Sequence, residues 1–573
     1  MNSLPTCWDY SMLDKLQRRL GLRTDSVIFF TSAALTILFV LTTISLTDQV
    51  DSVFTTASDW ILKNLGWFYI LGVTSFVIFL IWIALSRYGH VRLGGQNTRP
   101  EYSNGAWFAM LFAAGIGTIL MFWGVAEPIS HFAKPPEQGV EPESAHAAER
   151  AMAFALYHFG LHTWAIFCLP ALAFAYFVYQ RGLPFRLSSV LHPLLGDRIN
   201  GPIGKSVDVT AVVGTLFGVS VSIGLGTLQI NSGLNELFGV PENKLVQVVL
   251  IAVVTAIATA SVMSGLDKGI KILSNINILM AIGLLIFVLL AGPTLFMAKG
   301  IVETTGTYVS SVVPLSFWND TFADSGWQGS WTVFYWAWTI TWSPFVGIFI
   351  ARISKGRTIR EFVLGVLALP TAFTVIWFSI FGMGSFDIEM NGSGGLVKAV
   401  VDEGDVPGAL FAFLENYPAA TLVSALSVLI VVIFFTTSSD SAAMVVDMLC
   451  ERVDDKLPSP TRQRVFWAVT QGVVAGTLLA ATGKGGLDAL QQVITVIGLP
   501  FFVIAFVMMF SLLRALKSDY PELGRNPLTK QLEARGGTAA GPEATAEPEA
   551  LIDPETPTEP EAPAAGAVKD PVG

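Results

Sequence analysis

The sequence predicts an all-α integral membrane protein of about twelve transmembrane helices. Three observations lead there. Of 573 residues, 52% are hydrophobic and only 14% charged, against about 25% charged in ordinary soluble domains. Apolar runs of about 20 residues, the length that crosses a bilayer as a helix, recur along nearly the whole chain. Two of these runs are interrupted. One contains Phe112-Ala-Ala-Gly-Ile-Gly-Thr118, and the other is the tryptophan-dense stretch from Trp331 to Phe345, broken at Ser343-Pro344. Lipid offers the backbone no hydrogen bonds, so irregular backbone at membrane depth persists only where protein buries it or a cavity lies beside it. A pair of interrupted spans in corresponding halves of a chain points to a transporter's binding site.

The elements follow in order. Residues 1–25 form a polar N-terminal segment; no cleavable signal peptide is expected, because the first apolar run is long enough to span. Runs at 26–46 and 66–86 give two peripheral helices within 26–105. Runs at 106–127, 150–180, 208–238, 244–263 and 269–297 make up a first unit, 106–297. Residues 298–328 read as an extracellular amphipathic connection. Runs at 329–351, 361–384, 419–449, 463–482 and 487–515 make up a second unit, 329–518. The interruptions fall in the third and eighth runs, so each opens a five-helix unit. An odd number of spans inserts the second copy upside down, which gives an inverted 5+5 repeat behind two peripheral helices. This rests on the positions of the interruptions, since the halves share no evident residue-level similarity. Residues 519–573, rich in Pro, Ala and Glu, cannot bury enough apolar surface to offset chain entropy and read as a disordered acidic cytoplasmic tail.

Lysine and arginine bias sets the orientation. Lys15, Arg18, Arg19 and Arg23 place the N-terminus inside, and Arg87, Arg92, Arg99, Arg181, Arg186, Lys268, Lys271, Arg352, Lys355, Arg357 and Arg360 then fall inside as well. The opposite loops, Glu137 to Glu149 and Asp387 to Glu415, are acidic. Both termini are therefore expected in the cytoplasm of a multi-pass cell inner membrane protein. The net charge of −10 owes much to the tail and says little about partners. There is no basic domain or nucleic-acid recognition motif. Cys7, Cys168 and Cys450 are too scattered for a disulfide framework or metal cluster. No HExxH or GxSxG pattern or buried carboxylate pair suggests an enzyme.

Trp331, Tyr335, Trp338 and Trp342, spaced i, i+4, i+7 and i+11, share one helical face. The fourth run adds Phe159, Trp164 and Phe167. Tryptophan also gathers at headgroup depth, a reading that suits Trp331 as well as a site does. The deeper Trp338 and Trp342 suit a cage whose ring faces hold a ligand cation, each face worth about 0.5–2 kcal/mol.

These residues carry a resemblance. Gly329-Ser-Trp-Thr-Val-Phe-Tyr-Trp-Ala-Trp338 with Trp342-Ser-Pro-Phe345 is similar to the signature of the betaine/carnitine/choline transporter family. So are Met110-Leu-Phe-Ala-Ala-Gly-Ile-Gly117, Met121-Phe-Trp-Gly-Val-Ala-Glu-Pro128, the inner loop Ala351 to Glu361, and Phe434-Phe-Thr-Thr-Ser-Ser-Asp-Ser441. The resemblance covers essentially the whole membrane part. It implies a LeuT-type inverted repeat, a homotrimer, and sodium-coupled symport of a small zwitterionic or trimethylammonium compatible solute in osmoprotection. The implied cage is Phe159, Trp164, Phe167, Trp338 and Trp342, with Thr339 tuning the head group and Gly115 and Gly117 of the interrupted span completing its wall. The chain departs from the family pattern where betaine binders carry Trp and Tyr, having Phe159 and Phe167 instead, and it has Thr339 in place of a second tryptophan. Phenylalanine offers a weaker face than tryptophan, and a hydroxyl suits a carboxylate, sulfonate or N–H. Glycine betaine, taurine and ectoine all stay open. Ile119 stands where choline specialists carry an aspartate, which favours a zwitterion over a lone cation.

The resemblance also implies one sodium site, with carbonyls near Ala113, Ile116 and Phe434 and hydroxyls from Thr437 and Ser438. Ser and Thr in membrane helices also bond back to their own backbone, which is the plain alternative for each alone. A second family sodium site is matched at Thr215 and Phe345 but has Val219, which offers no oxygen, in place of the other threonine. Sodium-independent exchangers of the family place an arginine in the fifth span; residues 207–239 contain no Arg or Lys. A proton-coupled or uncoupled carrier remains the alternative. No cofactor beyond sodium is expected, and the only partners expected are solute, sodium, lipid and further copies of the chain. Among intramembrane ionisable groups, Asp440 is read as an inner gate and Glu127 as facing the outer end. His158 and His162 are read as structural, with a proton relay as the alternative.

Overall fold

The protein, described here by a computed structural model over residues 12–113, 117–264, 267–452, 459–481 and 486–524, is all-helical. Among the described residues there is no strand, only an isolated bridge between Arg92 and Thr358. The Gly115 and Ile116 assignments, and the tail beyond residue 524, lie outside the described residues.

The helices, in order, are α1 (Met12–Arg19), α2 (Ser26–Ser45), α3 (Thr47–Leu85), α4 (Asn104–Ala113), α5 (Gly117–Ala133), α6 (Ala145–Phe159), α7 (Leu161–Arg181), the single-turn α8 (His192–Leu195), α9 (Pro202–Phe238), α10 (Lys244–Ser264), α11 (Asp267–Ala291), α12 (Thr294–Ser316), α13 (Phe334–Ile353), α14 (Ile359–Asn391), the short α15 (Ala409–Leu414), α16 (Ala420–Leu449), α17 (Thr461–Ala481) and α18 (Gly486–Asp519). Their ends follow local chemistry. Asp25 caps α2 by accepting from the backbone N–H groups of Val27 and Ile28. Thr358 and Glu361 form a reciprocal capping box at α14. Gly182 and Gly239, both left-handed, close α7 and α9.

Among the described residues, ten helical stretches are long and apolar enough to cross a membrane. Two expected spans lie outside that number: the third, of which α4 and α5 are the described parts on either side of residues 114–116, and the eleventh, α17, which carries Arg462, Gln463, Arg464 and Gln471. The most enclosed helix is α13, whose stretch is 94% buried. It packs against α7, α9 and α18, while α16 packs on α9 and α17, and α5 on α6 and α14.

The structure corrects the sequence reading in three places. Ser343-Pro344 is not a break: α13 runs through it to Ile353, and the irregular turn lies earlier, a π-helical turn at Gly329–Val333. A proline costs one backbone bond and local crowding, and packing on all sides of α13 holds the helix through it. The fourth run, expected as one helix, is interrupted at Gly160, between α6 and α7. The second run begins much earlier, because Thr47–Leu85 is one helix whose first half carries Asp48, Asp51, Asp59 and Lys63. The expected amphipathic connection contains α12, a helix that begins at Thr294 and lies over α6 and α14. It buries Met297, Gly300, Thr304, Thr307, Ser311 and Leu315 while exposing Leu295, Val302, Val309 and Val313.

Candidate functional site

The break at Gly160 positions three of the residues expected to form the cage. A β-carbon there would lie 2.5 Å from the Leu156 carbonyl and 2.6 Å from the Tyr308 hydroxyl, so only glycine fits the close approach. The freed backbone is satisfied locally: Leu161 N–H donates to the Tyr308 oxygen at 2.9 Å, and the Thr163 hydroxyl donates to the His158 carbonyl. Phe159 then ends α6 and Trp164 and Phe167 follow on α7, all three buried.

The rings pair off. Phe159 stacks on Phe378 at 5.3 Å and meets Tyr335 edge-on at 4.7 Å. Trp164 meets Phe167 at 5.7 Å. Trp338 stacks on Phe334 at 5.9 Å, and Trp342 meets Phe345 at 5.6 Å. Trp338 is anchored: its indole N–H donates to Ser222 Oγ of α9 at 3.0 Å. Trp164 and Trp342 are not, for their indole nitrogens are buried without a hydrogen-bond partner. A buried donor without an acceptor is costly, and two on facing helices suit a guest with an anionic group. The Thr339 hydroxyl donates back to the Tyr335 carbonyl at 2.6 Å, with its lone pairs left over for a donor on a ligand.

Gly117 opens α5 directly against α16. A β-carbon on it would lie 2.0–2.5 Å from three ring carbons of Phe434, so the start of α5 and the stretch of α16 expected to hold sodium are in contact. The Thr437 hydroxyl bonds back to the carbonyls of Ile433 at 2.9 Å and Phe434 at 3.1 Å. Thr437 and Ser438 are half-buried. Ala113 ends α4 on the other side of residues 114–116. Thr215 is fully buried with an unpartnered hydroxyl, while Val219 beside it is apolar and buried. Phe345 is 8% exposed. Asp440 is buried, and its Oδ2 accepts from Ser261 of α10 at 2.7 Å.

The sequence reading missed His131. One turn beyond Glu127 on α5, its Nε2 lies 3.3 Å from Glu127 Oε1, and His158 Nδ1 of α6 lies 2.5 Å from the same oxygen. His158 Nε2 reaches Thr332 Oγ1, in the π-helical turn, at 2.9 Å. The Glu127-x-x-x-His131 spacing, one face of a helix, was the available signal. His162 Nε2 bonds Ser316 of α12 at 2.9 Å and its ring stacks flat on Trp336 at 5.6 Å, leaving Nδ1 buried without a partner. Near His131 a cavity of about 300 Å³ is lined by Trp123, Lys134, Trp327, Trp331, Val401 and Gln491, among others. It lies at the end of the bundle that carries the acidic loops.

Residues 27–521 match the family model described as BCCT, betaine/carnitine/choline family transporter. The chain is 49% identical over 514 residues to the ectoine/glycine betaine/proline transporter EctP of Corynebacterium glutamicum, spanning 90% of this chain and 83% of that protein. It is 40% identical over 499 residues to a probable glycine betaine transporter of Desulfitobacterium hafniense, spanning 87% of this chain and 99% of that protein. It is also 40% identical over 502 residues to the high-affinity choline transport protein of Escherichia coli, spanning 87% of this chain and 73% of that one. A solved structure of MhsT in complex with L-phenylalanine is similar at a TM-score of 0.45 and 15% identity, over 72% of this chain and 89% of that one.

Proposed function

The chain belongs to the betaine/carnitine/choline transporter family, and from that premise we propose that it is a secondary active transporter, a carrier rather than an enzyme, that couples sodium entry to uptake of a small zwitterionic compatible solute. The membrane arrangement proposed with it is twelve spans, an inverted 5+5 repeat behind two peripheral helices, both termini in the cytoplasm and a homotrimeric assembly. The acidic-loop end then faces out, and the repeats rock about a midplane site to give alternating access.

One observation carries the reading: Trp164 and Trp342 bury unpartnered indole donors among paired aromatic rings, Trp164 on α7 just after the break at Gly160 and Trp342 on α13, which packs against α7. Ring faces suit the positive end of a zwitterion and indole N–H groups its carboxylate. Ectoine or glycine betaine is the favoured solute, since the relative at 49% identity is named for both. Thr339 supports ectoine among them, as its lone pairs can accept from a ring N–H that betaine lacks. Sodium coupling is supported by the contact of Gly117 with Phe434 and by Thr437 and Ser438 in the same stretch of α16.

The test is uptake of radiolabelled ectoine, glycine betaine, proline, taurine and choline into proteoliposomes, with an inward sodium gradient or with potassium replacing sodium. Accumulation of ectoine or betaine that needs sodium is expected. Accumulation without sodium would replace the coupling assignment with the proton-coupled or uncoupled alternative. Binding without accumulation would make the protein a sensor.

A further inference from the structure

Glu127, His131 and His158 form a cluster that the transport reading leaves unused. All three are buried: Glu127 and His158 are 0% exposed and His131 is 1%. One ligand atom from each lies within 4.8 Å of the others. Glu127 Oε2 has no partner, and neither has His131 Nδ1. An ionisable group at membrane depth is a functional candidate by default.

Charge balance decides what the cluster holds. A carboxylate with two neutral imidazoles is a buried net charge of minus one, which is costly unless compensated. Among the described residues, the packed elements supply no unengaged cation; the turn Lys398–Asp402, packed on α5, carries Lys398, which pairs with Glu403 at 3.6 Å. α7 presents His162, already bonded to Ser316. α13 presents Tyr335, a neutral phenol that offers Glu127 a hydrogen bond but no charge, and the turn before it presents Thr332. α12 presents Tyr308, which accepts from Leu161 N–H. α14 presents Trp377, bonded to the Leu120 carbonyl, and α9 presents Gln229, bonded to the Met121 carbonyl. Arg150 of α6 is engaged with Glu137 at 2.5 Å and with Ser311 at 3.0 Å. Lys134 lines the neighbouring cavity instead. A divalent metal would overshoot to plus one; a single proton brings the cluster to zero.

We propose that the cluster is a proton-binding site beside the cavity of about 300 Å³ that His131 lines, which serves as the outer vestibule, with His158 held as imidazolium against the Glu127 carboxylate. His158 has partners for both ring nitrogens, Glu127 on one side and Thr332 on the other, and an imidazolium donates from both. Its ring stacks on Trp327 at 5.6 Å, a face that favours a cation. His131, which shares the same carboxylate oxygen and lines the cavity, is the route by which the proton arrives. The bound proton ties α5, α6 and the π-helical turn before α13 into one unit. When the vestibule opens and water reaches the pair, the proton becomes exchangeable, and reloading it depends on the outside pH.

The site itself is tested without transport. Full-length protein labelled with ¹⁵N-histidine, in nanodiscs at pH 8, has six histidines to observe. One imidazolium signal is expected to persist there and to vanish in both Glu127→Gln and His158→Gln. All histidines neutral in the wild type, or an imidazolium that survives His158→Gln, would overturn the proposal. The second arm rests on the transport reading: sodium-driven uptake should fall at least threefold between outside pH 6 and 8.5. Uptake that is flat over that range overturns the exchangeable proton while leaving the transport function in place. A persistent imidazolium in a protein that accumulates no osmolyte would sink the transport reading and keep the site. Zinc bound stoichiometrically by the wild type and not by His131→Gln or His158→Gln would replace the proton with a metal.

Discussion

Gly117→Ala tests the proposed link between the start of α5 and the coupling ion. Its new β-carbon has no free space, because it meets the ring of Phe434 on α16. The ring is half-buried and packed against the core, so either α5 or Phe434 must move. Forcing one extra methyl into a packed interior costs about 1–3 kcal/mol. At about 1.4 kcal/mol per tenfold, that is a roughly 5- to 150-fold change if the whole strain falls on the sodium-loaded state. The assay is sodium titration of uptake, and of tryptophan fluorescence on purified protein, with saturating solute. Gly117→Ala should raise the half-saturating sodium concentration by at least fivefold, and Phe434→Leu in the same chain should recover most of the loss. If Gly117→Ala leaves sodium dependence unchanged, or Phe434→Leu rescues nothing, the contact does not report on the ion site.

Thr339→Trp should shift preference from ectoine toward glycine betaine and choline by at least fivefold in competition uptake, since it exchanges a hydroxyl for a ring face; an unchanged ranking misplaces the pocket. Truncation after residue 524 should leave uptake and its osmotic response within twofold. Truncation after residue 518 should lower the melting temperature, because it removes Asp519, which pairs with Arg181 at 2.8 Å and accepts from Tyr176 at 2.7 Å. Glu415, outside the spans, is pushed up to about 7 by the proton it shares with Glu236, then by burial and by repulsion from the same group. A carboxyl raised in the folded state stabilises most below its unfolded value and loses that contribution as pH rises toward 7. Thermal stability in detergent should therefore decline from pH 5 to pH 8, and Glu415→Gln should flatten the decline.

The helices were legible because each span's length and apolarity are dictated by the bilayer, and 208–238, 244–263 and 419–449 lie within a few residues of the observed α9, α10 and α16. Local chemistry beyond hydropathy was not. The first half of α3 escaped because Asp48, Asp51, Asp59 and Lys63 break the apolar run while leaving the backbone helical. Pro344 was over-read because proline breaks an isolated helix, whereas α13 is held by neighbours all round. Gly160 was under-read for the converse reason. A lone glycine in a run of helix formers is a weak local signal, and the interruption it permits is fixed by Tyr308, 148 positions away in sequence, whose hydroxyl takes the Leu161 N–H.

The same distinction separates the two halves of the candidate site. The aromatic stripe could be read from spacing, since Trp331, Tyr335, Trp338 and Trp342 lie on a single helix face. What spacing could not supply is which indoles are spoken for: Ser222, on a different helix, takes the Trp338 N–H, while Trp164 and Trp342 are left without acceptors. The Glu127 cluster joins α5, α6 and the π-helical turn, and its meaning lies in a charge balance that appears only when three separate segments meet. Thr332 illustrates the point. In sequence it is one more threonine in a tryptophan-rich run; in the fold it is the group that engages the second nitrogen of His158. If Thr332→Val removes the acceptor and the imidazolium at pH 8 is lost with it, the π-helical turn is there to hold that hydroxyl in place. If the imidazolium survives unchanged, Glu127 alone holds the proton and the turn serves packing.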